Sequence, residues 1–241
     1  MVVTAGCSGS GGSSSNSPQI RVLNAVAADP IATVQVGTTT VVTALPYATE
    51  SGSTRNPYFS TTTGTQAVTF LNGTTPFATG QTTLLPSQSV NVIATPNNNA
   101  SLIVLDDDTS IATDSELRIV NASSATNLPS ADVVFTPSGG GAATTYTVTT
   151  NSVTPVQPAA PGFLYDVVNP ADYLVQVFPT GQESSGTPLL SESINLVTGQ
   201  RWTFIVVDSN STSSKIELVQ VQDSPEISVS LAKSRSGSKP L

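Results

Sequence analysis

Apolar and polar residues alternate along this chain in short runs, and clusters of Gly, Pro, Ser and Asn punctuate the runs. Stretches such as Ala32-Thr33-Val34-Gln35-Val36 and Trp202-Thr203-Phe204-Ile205 place β-branched and aromatic side chains where a pleated strand presents them to a core. The pattern predicts strands near 20–25, 32–36, 40–43, 66–71, 81–84, 89–95 and 101–105. A second set is predicted near 117–122, 132–136, 145–149, 172–178, 189–196, 201–207 and 215–221. Phe70, Val92, Trp202 and Phe204 fall on one phase of the alternation and are expected in the core.

The two sets repeat one another. Ile20-Arg21-Val22-Leu23-Asn24-Ala25 recurs as Leu117-Arg118-Ile119-Val120-Asn121-Ala122, an offset of 118 − 21 = 97. Later pairs are offset by 174 − 67 = 107, 202 − 90 = 112 and 216 − 102 = 114, and each increase falls in a Gly/Pro/Ser/Asn-rich stretch. Insertions confined to loops point to one fold used twice. The fold class expected is therefore all-β, with two tandem antiparallel seven-stranded Ig-like β-sandwich modules. The boundaries are a leader at 1–19, modules at 20–106 and 117–223, a linker at 107–116 and a tail at 224–241.

Composition sharpens this picture. The formal net charge is −8, and it resides in the body: residues 20–223 hold 5 Lys/Arg and 15 Asp/Glu, whereas the tail is net positive. An acidic body disfavours binding to nucleic-acid phosphates, so nucleic acid is excluded as a partner. The chain has no histidine, which removes the usual general base, the Ser/His and Cys/His pairs and the commonest zinc ligand. No enzyme activity, no cofactor and no metal are expected. The single cysteine, Cys7, permits no internal disulfide.

Cys7 follows Ala5-Gly6 and precedes a Gly/Ser tract that ends at Pro18. This arrangement resembles the end of a bacterial lipoprotein signal, in which the cysteine is lipidated and becomes the first mature residue. Thr4 stands where Leu is usual, and neither a basic nor an apolar segment precedes it, so the native start is expected upstream. The tract behaves as a coil of about 18 Å, enough to hold a domain off a membrane surface. The expectations are lipidation at Cys7, membrane attachment through that lipid, and an extracytoplasmic place on the outer membrane or cell surface.

The repeated strands also carry a family likeness. Arg21-Val22-Leu23-Asn24-Ala25, the turn Leu45-Pro46-Tyr47-Ala48-Thr49-Glu50-Ser51-Gly52 and the closing Leu102-Ile103-Val104-Leu105-Asp106-Asp107 resemble the signatures of the bacterial DUF4397 family. The second copy keeps Arg118-Ile119-Val120-Asn121-Ala122-Ser123 but replaces the Tyr turn with the Pro-rich stretch 153–162. The resemblance implies a secreted or envelope protein, often lipid-anchored, and no particular reaction.

Other residues invite chemistry. Asp106, Asp107 and Asp108, with Asp114 and Glu116, offer oxygens to a hard cation but lack the spacing of an EF-hand loop, so a solvated acidic linker is the expected reading. Arg21 and Arg118 are expected to point outward or to form one end of an ion pair; Asn24 and Asn121 are expected to bond turn backbone. Tyr47, Tyr58 and Phe59 are read as core or rim, with a sugar platform as the alternative. Asp132, Asp166 and Asp172 have no spacing that demands a glycosidase pair. Lys215 lies in a strand-like context, and Ile227–Leu231 alternates as a strand that could extend the second module or join a neighbouring sheet. The expected function is a non-enzymatic envelope protein presenting two modules for adhesion to a surface polysaccharide or a protein. The alternative is a structural subunit of an extracellular assembly, joined through sheet edges or the tail strand.

Overall fold

In the computed structural model the described residues are 16–51, 57–96, 102–155, 165–184, 186–210 and 215–224. They form 17 strands in four sheets, with no helix among them. The first half contributes β1 (Gln19–Asn24), β2 (Ile31–Val36), β3 (Thr39–Pro46), β4 (Phe59–Ser60), β5 (Gly64–Asn72), β6 (Thr75–Leu84), β7 (Ser89–Ala94) and β8 (Leu102–Asp106). The second contributes β9 (Ser115–Asn121), β10 (Ser130–Pro137), β11 (Thr144–Thr149), β12 (Ser152–Thr154), β13 (Asp166–Val168), β14 (Ala171–Pro179), β15 (Leu190–Leu196), β16 (Arg201–Asp208) and β17 (Ile216–Gln222).

Each half makes an outer and an inner sheet. The outer sheets run β3-β2-β5-β6 and β11-β10-β14-β15, and the inner sheets run β4-β1-β7-β8 and β12-β9-β16-β17, with β13 also paired to β9. Alternate side chains fill the space between the layers of a half. Val34, Val68 and Phe70 meet Ile20, Val22 and Val92 in the first half. In the second, Val133, Phe135 and Val175 meet Leu117, Ile119 and Phe204. Phe135 lies edge-on to Phe204 at 5.4 Å and to Tyr146 at 5.6 Å, geometries that aromatic quadrupoles favour.

A third core joins the halves. Leu23, Ile93 and Leu105 on the back of the first inner sheet pack against Val120, Ile205 and Val207 on the back of the second. Both faces of the inner sheets are thus covered, and β7 is buried at all six positions. The result is a four-layer, sandwich-like stack. Covered on both faces, the inner strands tolerate near-continuous apolar runs such as Ile205-Val206-Val207, whereas β5 and β6 of an outer sheet keep their alternation.

Three expectations need correction. The sheets are not wholly antiparallel: β1 runs parallel to β7, from Gln19 opposite Ser89 to Asn24 opposite Ala94, and β9 runs parallel to β16. Side-chain alternation reports burial and is blind to strand direction; here the outer-sheet strands supply the crossover that a parallel pair requires. Among the described residues the halves hold eight and nine strands rather than seven, because β4, β12 and β13 are short pieces paired to β1 and β9. Phe70, Val92 and Phe204 are fully buried, but Trp202 is only partly buried, since it lies at the margin of its core and stacks on Phe204 at 6.3 Å. Cys7, the Gly/Ser leader and the tail strand at 227–231 lie outside the described residues.

Candidate functional site

The densest gathering of ionisable side chains lies inside the seam between the inner sheets. In β1 and β9 the residues facing the seam alternate with those facing the half's own core, which brings Arg21 and Arg118 into the seam beside Leu23 and Val120. Neither arginine is exposed. Asp107 and Asp223 follow β8 and β17 and are 2% exposed, so each strand end delivers a carboxylate to the same place.

The contacts are reciprocal across the seam. Arg21 Nη2 donates to Asp223 of the other half and, at 3.1 Å, to Asp107 Oδ2; its Nη1 donates to the Gln222 carbonyl at 3.1 Å. Arg118 Nη2 donates to Asp107 of the first half and approaches Asp223 Oδ2 at 3.7 Å, while its Nη1 donates to the Asp106 carbonyl at 2.6 Å. Two tyrosines cap the arrangement. The Tyr58 hydroxyl donates to Asp107 Oδ2 at 2.8 Å with its ring 4.9 Å from the Arg21 guanidinium, and Tyr165 donates to Asp223 Oδ2 at 3.1 Å with its ring 4.7 Å from that of Arg118. Two guanidiniums and two carboxylates therefore face one another in a buried seam, with Glu50 at its margin.

Burial works against the charge on Arg21 and Arg118, but the facing carboxylates, Asp107 first, outweigh it and hold both guanidiniums charged. Burial pushes the Asp107 carboxyl above the usual range against the pull of Arg21, and it pushes Glu50, 3.4 Å from Arg21, in the same direction. Both tyrosine hydroxyls are held neutral far above their ordinary value, by burial first and by the neighbouring carboxylate second. Each of these groups is held by partners across the seam. No group of three or more metal-ligating side chains occurs among the described residues.

The halves differ in the residue beside each arginine on the neighbouring parallel strand. Thr203 on β16 accepts from Arg118 Nε at 2.8 Å and donates to Asp223 at 2.5 Å. On β7 the residue beside Arg21 is Asn91, fully buried, and neither its amide atoms nor Arg21 Nε has a hydrogen-bond partner.

The residues singled out in the sequence now find their places. Arg21 and Arg118 are ends of ion pairs, not outward residues. Asn24 and Asn121 bond turn backbone, through Asn24 Nδ2 to Asp29 O at 2.8 Å and Asn121 Nδ2 to Leu128 O at 3.1 Å. The solvated acidic run is corrected: Asp107 belongs to the seam, and Asp108 and Glu116 flank Arg201 at 3.3 and 2.6 Å, because unpaired cations at the strand ends draw the carboxylates inward. Asp114 uses its carbonyl to accept from Gly199. Tyr47 and Tyr58 face the seam whereas Phe59 packs on the first core, so the three form no common platform. Asp132 is bound by Thr147 and Gly181, Asp172 by Asn195, and Asp166 stands on a different sheet. Lys215 is exposed at the start of β17.

Asp223 and Tyr165 escaped the sequence reading. The repeat offsets could have found them: 165 − 58 = 107 equals the offset of neighbouring strands, and 223 − 107 = 116 continues the rise. Residues 18–134 match the model of a family described as a domain of unknown function, DUF4397. The matched span holds Arg21, Tyr58, Asp107 and Arg118 and ends within β10. No curated protein matches the chain.

Proposed function

We propose, from the match of residues 18–134 to the DUF4397 family, that the chain is a non-enzymatic envelope protein, two tandem Ig-like sandwich modules fused into one stiff body and presented for adhesion or binding. The observation that carries this reading is the Arg21–Asp107–Arg118–Asp223 quartet. The strongest electrostatic groups of the molecule are consumed in fixing one half against the other, which builds a rigid display rather than a reacting centre. The repeated motifs and the corresponding strand orders of the two halves support duplication.

Attachment is the second element of the proposal. Ala5-Gly6-Cys7 and the Gly/Ser tract support a multiply acylated cysteine, which anchors far more firmly than one chain. Expressed with a lipoprotein signal upstream, the protein is expected in the membrane fraction and to need detergent for release, and Cys7→Ser should move it to the soluble extracytoplasmic fraction with the fold intact. Wild-type protein that is soluble, with Cys7 unmodified by mass spectrometry, would refute the anchor.

A second reading, a subunit of an assembly joined at sheet edges, draws on the edge strands β3 and β6, which carry none of the charges that normally discourage edge pairing. Light scattering separates the two, since only a subunit needs stable self-association.

A further inference from the structure

The four strands of the first outer sheet contain no Asp, Glu, Lys or Arg, in a chain whose net charge is −8. The matching strands of the second outer sheet carry Asp132, Asp172 and Glu192. Its inward residues Val34, Val68 and Phe70 are buried, whereas the alternate positions Thr65, Ala67, Thr79, Gln81 and Thr83 of the uncharged sheet are exposed.

Cross-strand register orders that face into rows. Thr65 stands opposite Thr83, Ala67 opposite Gln81 and Thr69 opposite Thr79, and the hydroxyls of Thr65 and Thr83 lie 3.2 Å apart. The rows continue onto β2, where Gln35 stands opposite Thr69 and Thr33 opposite Leu71, and Ile31 adds an apolar side chain that is 59% exposed. Pleated geometry spaces such positions by about 4.8 Å between strands and about 6.7 Å along them. The face is thus an array of methyl, hydroxyl and amide groups without a formal charge, twisted and interrupted by irregular register at Ala32–Gln35 and at Phe70–Leu71.

We propose that this face binds a neutral polysaccharide. The proposal rests on the reading of the chain as a binding protein and names the partner class. A sugar chain presents apolar C–H faces and hydroxyl edges, which methyls and Thr/Gln groups match in turn. An uncharged face also loses less hydration on contact than a charged one. The acidic remainder of the body repels polyanions, which leaves the neutral class favoured.

The test is sedimentation of the purified full chain with three insoluble neutral polymers, cellulose, β-1,3-glucan and mannan, alongside calcium alginate gel as an acidic polymer. The chain should cosediment with at least one neutral polymer and not with alginate, and 0.5 M NaCl should leave the binding within about twofold, because no charges are there to screen. The double variant Thr79→Glu/Gln81→Glu should lose at least about tenfold in affinity with unchanged melting temperature, whereas Thr145→Glu/Ser193→Glu on the other outer sheet should not. Retention on none of the neutral polymers overturns the proposal while leaving the lipid anchor standing. Binding that survives the first double variant overturns this face but keeps a binding protein. A dimer by light scattering that the same variant dissociates gives the face to a second copy of the chain and also overturns the proposal.

Discussion

At Asp107 one carboxylate accepts from Arg21, Arg118 and Tyr58 at once. Removing its charge leaves two buried guanidiniums facing Asp223, with only the partly exposed Glu50 beside Arg21. Breaking a buried pair in this way typically costs about 3–5 kcal/mol. Asp107→Asn should therefore lower unfolding stability by that amount in a urea titration, while Asp114→Asn should change it by less than about 0.5 kcal/mol; equal effects would contradict the seam. Asn91 offers the opposite experiment. Its amide and Arg21 Nε are buried without partners, whereas Thr203 serves the corresponding role for Arg118. Unsatisfied buried polar atoms cost about 1–3 kcal/mol, so Asn91→Thr should stabilise the protein by about 1 kcal/mol, read as a higher urea midpoint at unchanged slope. A destabilised variant would show that Thr at 91 cannot reach Arg21. In the sequence these roles were half legible. The repeat exposed Arg21 and Arg118 as equivalents, but an Arg in an alternating strand reads as outward or as one end of an ion pair, and the choice waits until a second sheet is known to cover that face.

Among the elements, the long strands were visible because their alternation is a direct imprint of one covered face. β2, β5 and β14 lie where the pattern puts them, and β6 extends its predicted segment back to Thr75. The inner strands β1, β7 and β16 were read from the same alternation and turn punctuation, although the cover on their second face buries the intervening positions as well. What stayed hidden was pairing. Parallel contact of β1 with β7, and the short pieces β4 and β13, depend on contacts between residues far apart in sequence, which local pattern does not encode. The turn chemistry was more transparent: Asn24 and Asn121 close the same kind of Asx contact, with Val26 N at 3.0 Å and Ser123 N at 3.1 Å, because an Asn two residues before a free N–H satisfies it locally.

Across the whole molecule, sheets stacked about 10 Å apart put the outer layers about 30 Å from one another, with the quartet between them. All five tyrosine hydroxyls are raised above their ordinary value, burial being the first cause for each. A raised folded-state value means stability that is intact below about pH 10, where the unfolded phenol titrates, and is lost as pH climbs above it. Tyr58 and Tyr165 each remove about 1.4 kcal/mol per pH unit in that range. Most of the absorbance change at 295 nm should come together with the unfolding that circular dichroism reports; titration of most of the phenols near pH 10 in folded protein would contradict this. With a shared core and a shared quartet, the halves are proposed to behave as one body, not as two domains on a linker. Differential scanning calorimetry at neutral pH measures that most directly. One transition, with van't Hoff and calorimetric enthalpies in a ratio near one, is the predicted result. Two transitions, or one whose calorimetric enthalpy is about twice the van't Hoff value, would mean that the halves melt independently and the seam holds nothing together.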